Sequence, residues 1–180
     1  MKKIIAILLL VTMALTIVGC SAIDTLTLEH FEKITNNDAV FYYLKVDNEQ
    51  DHIDLDNYLF TPQYVEWHVY EKNATNIYEL NNHNIALREG NNTFIIKTQN
   101  IFGQITEYTI HIYRNKMFYV TFEGLDNIIP VEEGSCVSMP DNKPRKKGFL
   151  FVDWDWDFSR TITEDVTISA IWKRNVIRVE

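Results

Sequence analysis

Residues 87–114 read LREGNNTFIIKTQNIFGQITEYTIHIYR, and two runs within them alternate apolar with polar side chains. These runs are residues 92–98 and residues 107–113. Alternation with a period of two is typical of β-strands that bury one face. Between the runs, Asn100-Ile101-Phe102-Gly103 supplies asparagine and glycine, which accept a positive φ at little cost. The sequence therefore predicts two strands joined by a turn.

Two further runs with the same period lie upstream, at residues 40–46 and 64–70. In the second run, Val65, Trp67 and Val69 share one face of the predicted strand. We therefore expect Trp67 to pack in a core rather than to serve as a ligand platform. Turn signals separate the runs, at Asn81-Asn82 and at Glu89-Gly90-Asn91. Strands at this spacing, with no helical pattern between them, favour a mainly β fold of the sandwich type.

Residues 87–114 resemble the closing hairpins of the cadherin-like or Ig-like β-sandwich modules of bacterial surface proteins. The resemblance implies an Ig-like/cadherin-like β-sandwich, which we place at residues 39–115. Acidic motifs that hold calcium at cadherin domain boundaries are not evident in the sequence, so the resemblance implies no metal site. The matching positions are turn residues and alternating core residues, namely Leu87, Gly90, Asn92, Phe94, Ile96, Gly103, Tyr108, Ile110, Ile112 and Arg114.

A second module is indicated after residue 116, because residues 117–172 resemble the Listeria-Bacteroides repeat, the internalin B-type module. The resemblance implies a small β-grasp (α+β) domain at residues 116–173, followed by residues 174–180 as a frayed tail or an added edge strand. The pattern departs from the repeat where Leu125 follows Gly124 and where Asp153 precedes the tryptophan. The matching positions, in chain order, are residues 118–122, residues 131–134, Pro140, Pro144, residues 148–151, Trp154 and residues 162–172.

Most aromatic side chains of this second module are expected to pack. Phe149, Phe151 and Trp172 would supply apolar area to a domain of under 60 residues, which could bury little otherwise. Extended geometry would place Trp154 and Trp156 on one side of their strand, with Trp154 in the core as the family pattern implies. Trp156 then lies at the rim of the core and is the candidate ligand contact. The alternative for Trp156 is simple edge packing.

The beginning of the chain is typical of a secretory signal. Lys2 and Lys3 precede an apolar run at residues 4–18, and Gly19 follows it. This run has 15 residues, whereas a helix that crosses a bilayer needs about 20. A signal peptide at residues 1–19 is therefore predicted, and an uncleaved membrane span is the weaker alternative.

The end of the signal, Ile17-Val18-Gly19-Cys20, resembles the lipobox of bacterial lipoproteins. The resemblance implies cleavage after Gly19 and a diacylglyceryl group on Cys20, the predicted lipidation site. Two acyl chains hold a protein firmly in a bilayer where one is marginal. We therefore expect a lipid anchor on the extracytoplasmic face of the cell membrane of a single-membrane bacterium, with a short tether at residues 20–38. Cys136 then has no intramolecular disulfide partner, which leaves a quiet thiol or an intermolecular bond.

Charge argues against nucleic acid as a partner. Removing Lys2 and Lys3 leaves 15 basic against 25 acidic residues in the mature chain, a net charge of −10. Phosphate backbones would repel such a chain, so we expect no nucleic-acid partner. The basic residues around Pro144 are interpreted as a solvated turn; they are Lys143, Arg145, Lys146 and Lys147.

A cluster of acidic residues suggests a calcium site, but the spacing of these residues does not match a calcium-binding loop. An EF-hand loop that began at Asp47 would need glycine at its centre and glutamate at its end. Those two positions hold His52 and Tyr58. We therefore expect a solvated acidic loop, with no metal and no cofactor. The acidic residues concerned are Asp47, Asp51, Asp54 and Asp56.

The sequence carries no GxSxG elbow, HExxH pair, Walker loop, CxxC or Rossmann glycine set, so we do not expect an enzyme. His68 and His111 are expected on the outer faces of strands. The expected function is a non-catalytic binding or adhesion module at the cell surface for an envelope or host protein or glycan. The alternatives are a structural spacer or assembly component and, less favoured, an envelope hydrolase. The histidines favour no ligand pair; they are His30, His52, His68, His83 and His111.

Overall fold

The computed structural model describes residues 26–36 and 39–175 of the chain. The predicted signal peptide, Cys20 and the last five residues of the predicted tail lie outside these ranges. Almost all regular structure is β, so the prediction of a mainly β fold is confirmed. A single turn of 3₁₀-helix, Leu55–Asn57, is the helical structure found in the described ranges. No helix there is long and apolar enough to cross a membrane.

Residues 26–115 form one unit, which we call the N-terminal unit. Its strands, in chain order, are β1 Thr27–Leu28, β2 Glu32–Asn36, β3 Ala39–Val46, β4 His52–Asp54, β5 Leu59–Phe60, β6 Glu66–Lys72, β7 Ile77–Glu79, β8 Asn84–Ala86, β9 Gly90–Gln99 and β10 Ile105–Arg114. The four runs predicted from period-two alternation correspond to β3, β6, β9 and β10, each within about two residues at either end. Alternation therefore located these strands correctly.

The main sheet of this unit has the strand order β2-β3-β10-β9-β6-β7. β9 and β10 form a hairpin whose register runs from Ile105 opposite Gln99 to Arg114 opposite Gly90. β3 joins the other side of β10 in parallel, and β6 joins the other side of β9 antiparallel. The sheet therefore grows around the hairpin at residues 90–114.

A thinner layer covers one face of the main sheet. It consists of the short pairs β1-β5 and β4-β8 together with the 3₁₀ turn. The Asp54 carboxylate caps that turn by accepting the N–H of Asp56. The core between the layers is apolar, and it contains Leu26, Val46, Ile53, Leu55, Leu59, Val69, Ile85, Leu87, Phe94, Ile96, Ile110 and Ile112. Trp67 packs against this core, as the alternation of β6 predicts.

The residues before β3 differ from the expected tether at residues 20–38. β1 and β2 lie inside this range, and both belong to sheets. Leu26 is buried in the core, and Leu28 and Phe31 pack against it. Burial of these three apolar side chains stabilises the packed conformation of this segment relative to an extended tether. Residues 26–36 are therefore part of the sandwich-like unit.

Residues 116–175 form a second unit, the C-terminal unit. Its strands are β11 Met117–Phe122, β12 Ile128–Glu132, β13 Phe149–Trp154, β14 Val166–Ile168 and β15 Ala170–Arg174. They form a sheet of order β12-β11-β14 and a separate pair, β13-β15. Residues 133–148, which connect β12 to β13, are turns and irregular backbone, and no α-helix occurs among the described residues of this unit. The unit is thus β in character, while its β-grasp topology stays a prediction.

A separate apolar core holds the C-terminal unit together. Trp154 is buried in it, as expected, and Phe151 and Trp172 pack against it. Phe149 does not contribute as expected: it is 40% exposed at the start of β13 and is not among the residues that form or pack against this core. The buried residues of this core are Val120, Phe122, Val131, Val137, Trp154, Ile162, Ile168 and Ala170.

Hydrogen bonds fix the junction between the two units. The Glu132 carboxylate accepts the N–H of Asn48 at 2.6 Å and the Asn115 amide at 3.0 Å. The amide of Asn48 in turn donates to the carbonyl of Asn115 at 2.7 Å. Beside them, the Tyr113 hydroxyl donates to Glu133 at 2.9 Å. The C-terminal unit is therefore held against the N-terminal unit by more than the chain that joins them.

Candidate functional site

The outer face of the sheet β12-β11-β14 is built by strand alternation. Val120 and Phe122 point into the core and are fully buried, so Tyr119 and Thr121 point outward. Thr121 lies opposite Ile128 of β12 on one side and Thr167 of β14 on the other. The outer face therefore carries an aromatic ring, an aliphatic side chain and two hydroxyls.

These side chains line an open hollow of about 610 Å³. Tyr119 and Ile128 are both exposed, Ile128 at 63%. The hydroxyls of Thr121 and Thr167 are 2.8 Å apart and hydrogen-bonded. Asp165 fixes one wall, because its carboxylate accepts the backbone N–H of Tyr119 at 2.9 Å. Val166 completes the lining.

A second, smaller hollow of about 100 Å³ adjoins the first, and Val166 lines both. The second hollow also contains Trp156, Arg160 and Glu164. We refer to the two hollows together as the Val166 surface, defined by Tyr119, Thr121, Ile128, Trp156, Arg160, Glu164, Asp165, Val166 and Thr167. It combines apolar, hydroxyl, cationic and anionic groups on one side of the C-terminal unit.

Trp156, the ligand contact predicted from sequence, lies at one end of this surface. It is partly buried and packs against the core of the unit, as a residue at the rim would. The Arg160 guanidinium sits over its ring at 5.0 Å from the centroid. Its indole nitrogen is buried and has no hydrogen-bond partner among the described residues. Both the ligand and the edge-packing interpretation of Trp156 therefore remain predictions.

A short turn positions Arg160 beside Trp156. The Asp157 carboxylate accepts the N–H of Ser159 at 2.9 Å and its hydroxyl at 2.6 Å. These hydrogen bonds, the hydroxyl first, lower the pKa of Asp157. The N–H of Arg160 donates to the carbonyl of Asp157 at 2.9 Å. Across this turn, the Cys136 thiol is exposed and donates to the carbonyl of Ser159 at 3.3 Å.

In the N-terminal unit, Trp67, His83 and Asp56 lie together in an arrangement that the sequence did not predict. The rings of Trp67 and His83 stack with centroids 3.7 Å apart, and Nδ1 of His83 lies 2.8 Å from the Asp56 carboxylate. Trp67 and His83 border an open hollow of about 400 Å³, which Pro62 also lines. The three residues come from different elements, so no spacing in the sequence could have joined them.

Two other histidines each lie close to a single carboxylate. His52 lies 2.8 Å from Asp51, and His68 lies 2.9 Å from Glu79, in both cases at the exposed surface. The hydrogen bond from His52 is the main cause that lowers the pKa of Asp51. In the part of the chain that is described, no three His, Cys, Asp or Glu side chains converge as a metal site would require. Within the acidic cluster, Asp51 and Asp56 thus pair with histidines and Asp54 caps the 3₁₀ turn.

His111 lies on the outer face of β10 and is half-buried there. Its ring contacts Phe41 edge-on at 5.1 Å, and Nδ1 lies 3.0 Å from the hydroxyl of Thr93. Desolvation by burial, followed by the nearby charge of Lys72, lowers the pKa of His111. The outer-face placement predicted for His111 agrees with the alternation of β10, in which Ile110 and Ile112 point to the core.

Within the predicted solvated turn at residues 143–147, Lys146 contacts two aromatic rings. The Lys146 ammonium lies 5.2 Å from the ring centroid of Phe149 and 5.6 Å from that of Trp172. A cation over an aromatic face is attracted by the ring quadrupole. Lys146 therefore packs on the C-terminal unit, and the exposure of Phe149 leaves room for it.

Comparison of the sequence with protein-family models and with curated proteins finds no match. The resemblances to a lipobox, a cadherin-like or Ig-like sandwich and the Listeria-Bacteroides repeat therefore remain predictions.

Proposed function

We propose that this chain is a lipid-anchored protein of the extracytoplasmic surface that binds an envelope or host protein or glycan through the Val166 surface, without catalysis. The observation that carries the proposal is the position of this surface. It lies on the unit that is farther from the proposed anchor, where a ligand outside the membrane can reach it.

Strand directions support this placement. Thr27 pairs with Phe60, and the chain then passes through a turn to Glu66 at the start of β6. Glu66 lies opposite Gln99, at the end of β9 that adjoins the β9-β10 turn. β1 is antiparallel to β5, so Leu26, where the described chain begins, lies toward that same end. An anchor on Cys20 would therefore attach at the end of this unit opposite to residues 114–116.

The length of the hairpin sets the separation. β9 and β10 are ten residues each, and at about 3.3 Å per residue they span about 33 Å. The C-terminal unit begins where β10 ends, and Glu132 and Glu133 hold it there. The C-terminal unit, which carries the Val166 surface, thus begins about one strand length from the end of the N-terminal unit at which the β9-β10 turn lies.

The chemistry of the surface suits recognition rather than reaction. Exposed aromatic and aliphatic side chains such as Tyr119 and Ile128 can pack against an apolar sugar face or a peptide side chain. The hydroxyls of Thr121 and Thr167 and the carboxylate of Asp165 can direct the polar groups of either ligand. The surface is open and shallow, which matches an extended ligand better than a small enclosed substrate.

The decisive experiment measures binding of the lipidated full chain, purified in detergent, to arrays of envelope glycans and surface proteins. Ile128→Ser, in the Val166 surface, should weaken saturable binding about tenfold or more. The matched control is Val152→Ser, because Val152 is an exposed aliphatic residue of the same unit, outside this surface. Equal binding by both variants, or no saturable binding by the unchanged chain, would refute the proposed function.

A structural spacer is the second candidate, and the hydrogen-bonded junction favours it, because a spacer needs a fixed shape. The two functions differ in their response to Ile128→Ser. A spacer tolerates the substitution, whereas it fails when the junction is loosened at Glu132. Measuring cell-envelope complexes in cells that carry each variant separates the two.

A further inference from the structure

We propose that the end of the N-terminal unit beside Leu26 inserts apolar side chains into the bilayer to which Cys20 is anchored. The inference rests on the proposed lipid anchor. The side chains concerned form what we call the apolar tip, which consists of Phe60, Tyr64, Ile101, Phe102 and Ile105.

The hairpin turn between β9 and β10 exposes an unusual amount of apolar surface. Ile101 is 69% exposed, Phe102 74% and Ile105 63%. Within the described ranges, these three residues and Ile128, also at 63%, are the four most exposed large hydrophobic residues. Isolated exposed apolar residues are ordinary, but three within five positions at the end of a hairpin form a patch that gains from contact with an apolar phase.

Most backbone N–H groups of this turn are already hydrogen-bonded within it, which suits it to a medium without water. Asn100 accepts the N–H groups of Phe102 and Gln104 on its side chain, at 2.9 and 3.1 Å. Its carbonyl accepts the N–H of Gly103 at 2.9 Å. Gly103 has a φ of +75°, which allows this tight closure. A turn whose N–H groups are internally bonded loses little when headgroups and acyl chains replace water.

The remaining members of the apolar tip come from the neighbouring loop. Glu66, Gln99 and Ile105 lie in one row of the main sheet, because Gln99 is opposite both of the others. Tyr64 precedes Glu66 by two residues and is about half exposed. Phe60, also half exposed, pairs with Thr27. Two loops and the start of β1 therefore meet at the same end of the unit.

Charge is excluded from these loops. Residues 57–65 and 98–106 contain no Asp, Glu, Lys or Arg, in a chain that is 23% charged. Charged side chains are costly in the hydrocarbon of a bilayer, and acidic ones are repelled by anionic headgroups. Two acids border these loops: Glu66, which is exposed and lies opposite Gln99, and Glu107, which is paired with Lys97 at 2.6 Å. The loops themselves carry no charge, and Glu66 sets the limit to how deeply they can enter.

The position of Leu26 identifies the bilayer as the occupant. Cys20 precedes Leu26 by six residues, and six extended residues span at most about 20 Å. A diacylglyceryl group on Cys20 would therefore keep the start of β1 within that distance of the lipid surface, at the end of the unit that carries the apolar tip. Proximity of this kind raises the effective concentration of lipid at the tip.

The test compares two isoleucines of equal exposure, Ile105 and Ile128, both at 63%. Ile105→Cys and Ile128→Cys are each made in a Cys136→Ser background and labelled with bimane. The full lipidated chain is reconstituted into phosphatidylcholine vesicles that contain doxyl-labelled lipid. We expect bimane at position 105 to be quenched at least threefold more than bimane at position 128. Phe102→Cys, in the turn, repeats the measurement should Ile105→Cys disturb β10.

The outcomes separate this inference from the anchor on which it rests. Mass spectrometry first establishes whether lipid is present on Cys20, and its absence would overturn both proposals. Lipid on Cys20 together with equal quenching at positions 105 and 128 would overturn only insertion of the apolar tip. A blue shift at 105 without doxyl quenching, lost when each vesicle holds one protein, would assign the tip to a second copy of this chain and also overturn insertion.

Discussion

The surroundings of Trp156 and Trp67 decide how much of each ring a ligand could contact. Trp156 is covered on one face by Arg160, and its indole nitrogen is inside the C-terminal unit. Trp67 packs on the first core, yet its ring also stacks with His83 beside an open hollow. Strand alternation predicted the side of β6 on which Trp67 lies, whereas Trp156 lies two residues beyond the end of β13 and not in the extended strand expected for it. It could not predict the neighbours, because Arg160 and His83 belong to other elements.

Gly124 provides a test at the residue scale. Its φ is +80°, and a Cβ at this position would lie 2.9 Å from the Cβ of Pro144. Gly124→Ala should therefore reduce the free energy of unfolding by about 2 kcal/mol or more, from backbone strain together with the clash. Urea denaturation followed by tryptophan fluorescence measures the loss.

Gly134→Ala is the matched control for that prediction. Gly134 has a similar φ of +84°, but a Cβ there would meet nothing within 4 Å. Its substitution should cost only the backbone strain, about 1 kcal/mol. Equal losses at the two positions would show that Pro144 does not constrain Gly124.

At the scale of elements, the junction depends on one carboxylate. Glu132, at the end of β12, accepts the N–H of Asn48 and the amide of Asn115. The hydrogen bond from the Asn48 backbone, followed by that from Asn115, lowers the pKa of Glu132 below its ordinary value of 4.5. The ionised carboxylate is therefore the form that stabilises the contact between the two units.

This carboxylate predicts a pH dependence with a definite sign. Because the pKa of Glu132 is lower in the folded state, its contribution is complete above about pH 4.5 and is lost as pH falls through the folded pKa. Glu132→Gln should lower the free energy of unfolding by about 1 kcal/mol at pH 7, since a neutral amide oxygen is a weaker acceptor. The difference from the unchanged chain should shrink as the pH falls below about 4.5.

Glu164→Gln serves as the control, because Glu164 is an exposed carboxylate of the same unit, away from the junction. It should leave stability nearly unchanged over the same pH range. A gap between the unchanged chain and Glu132→Gln that does not narrow as the pH falls below about 4.5 would contradict the role assigned to the ionised form.

At the scale of the whole molecule, the two cores and the junction hold the two units in a fixed order. The apolar tip and Leu26 lie at one end, the hairpin β9-β10 spans the N-terminal unit, and the C-terminal unit follows with the Val166 surface. Attachment at Cys20 would place these parts in order of distance from the membrane. The proposed functions of the two ends depend on that attachment.

Cys20→Ser tests the attachment directly. Without the thiol, no thioether to diacylglycerol can form, so the variant should show no incorporation of a labelled fatty acid. It should also leave the membrane fraction or accumulate with its signal uncleaved. The control is Cys136→Ser, which removes the other thiol and should label fully. Undiminished labelling of Cys20→Ser would refute the lipid anchor.

The strands of the hairpin could be predicted because their signal is local. Alternation at residues 92–98 and 107–113 sets which side chains face the core, and the glycine and asparagine of the turn permit the reversal. Trp154 was predicted in the core from a family pattern, and it is buried. The exposure of Phe149 was not predicted from the sequence. The Lys146 ammonium, three residues away, lies over the Phe149 ring but does not bury it.

By itself, the sequence determined the mainly β character, the hairpin at residues 87–114 and the inward faces of its strands, since these follow from period-two patterning within short windows. The tertiary structure alone decided that β3 pairs in parallel with β10, that residues 26–36 belong to the sheets, and that two hollows meet at Val166. It also brought the loops of the apolar tip together. These features join residues that are distant in the chain, and long-range pairing is selected by the burial of whole faces, which no local window contains.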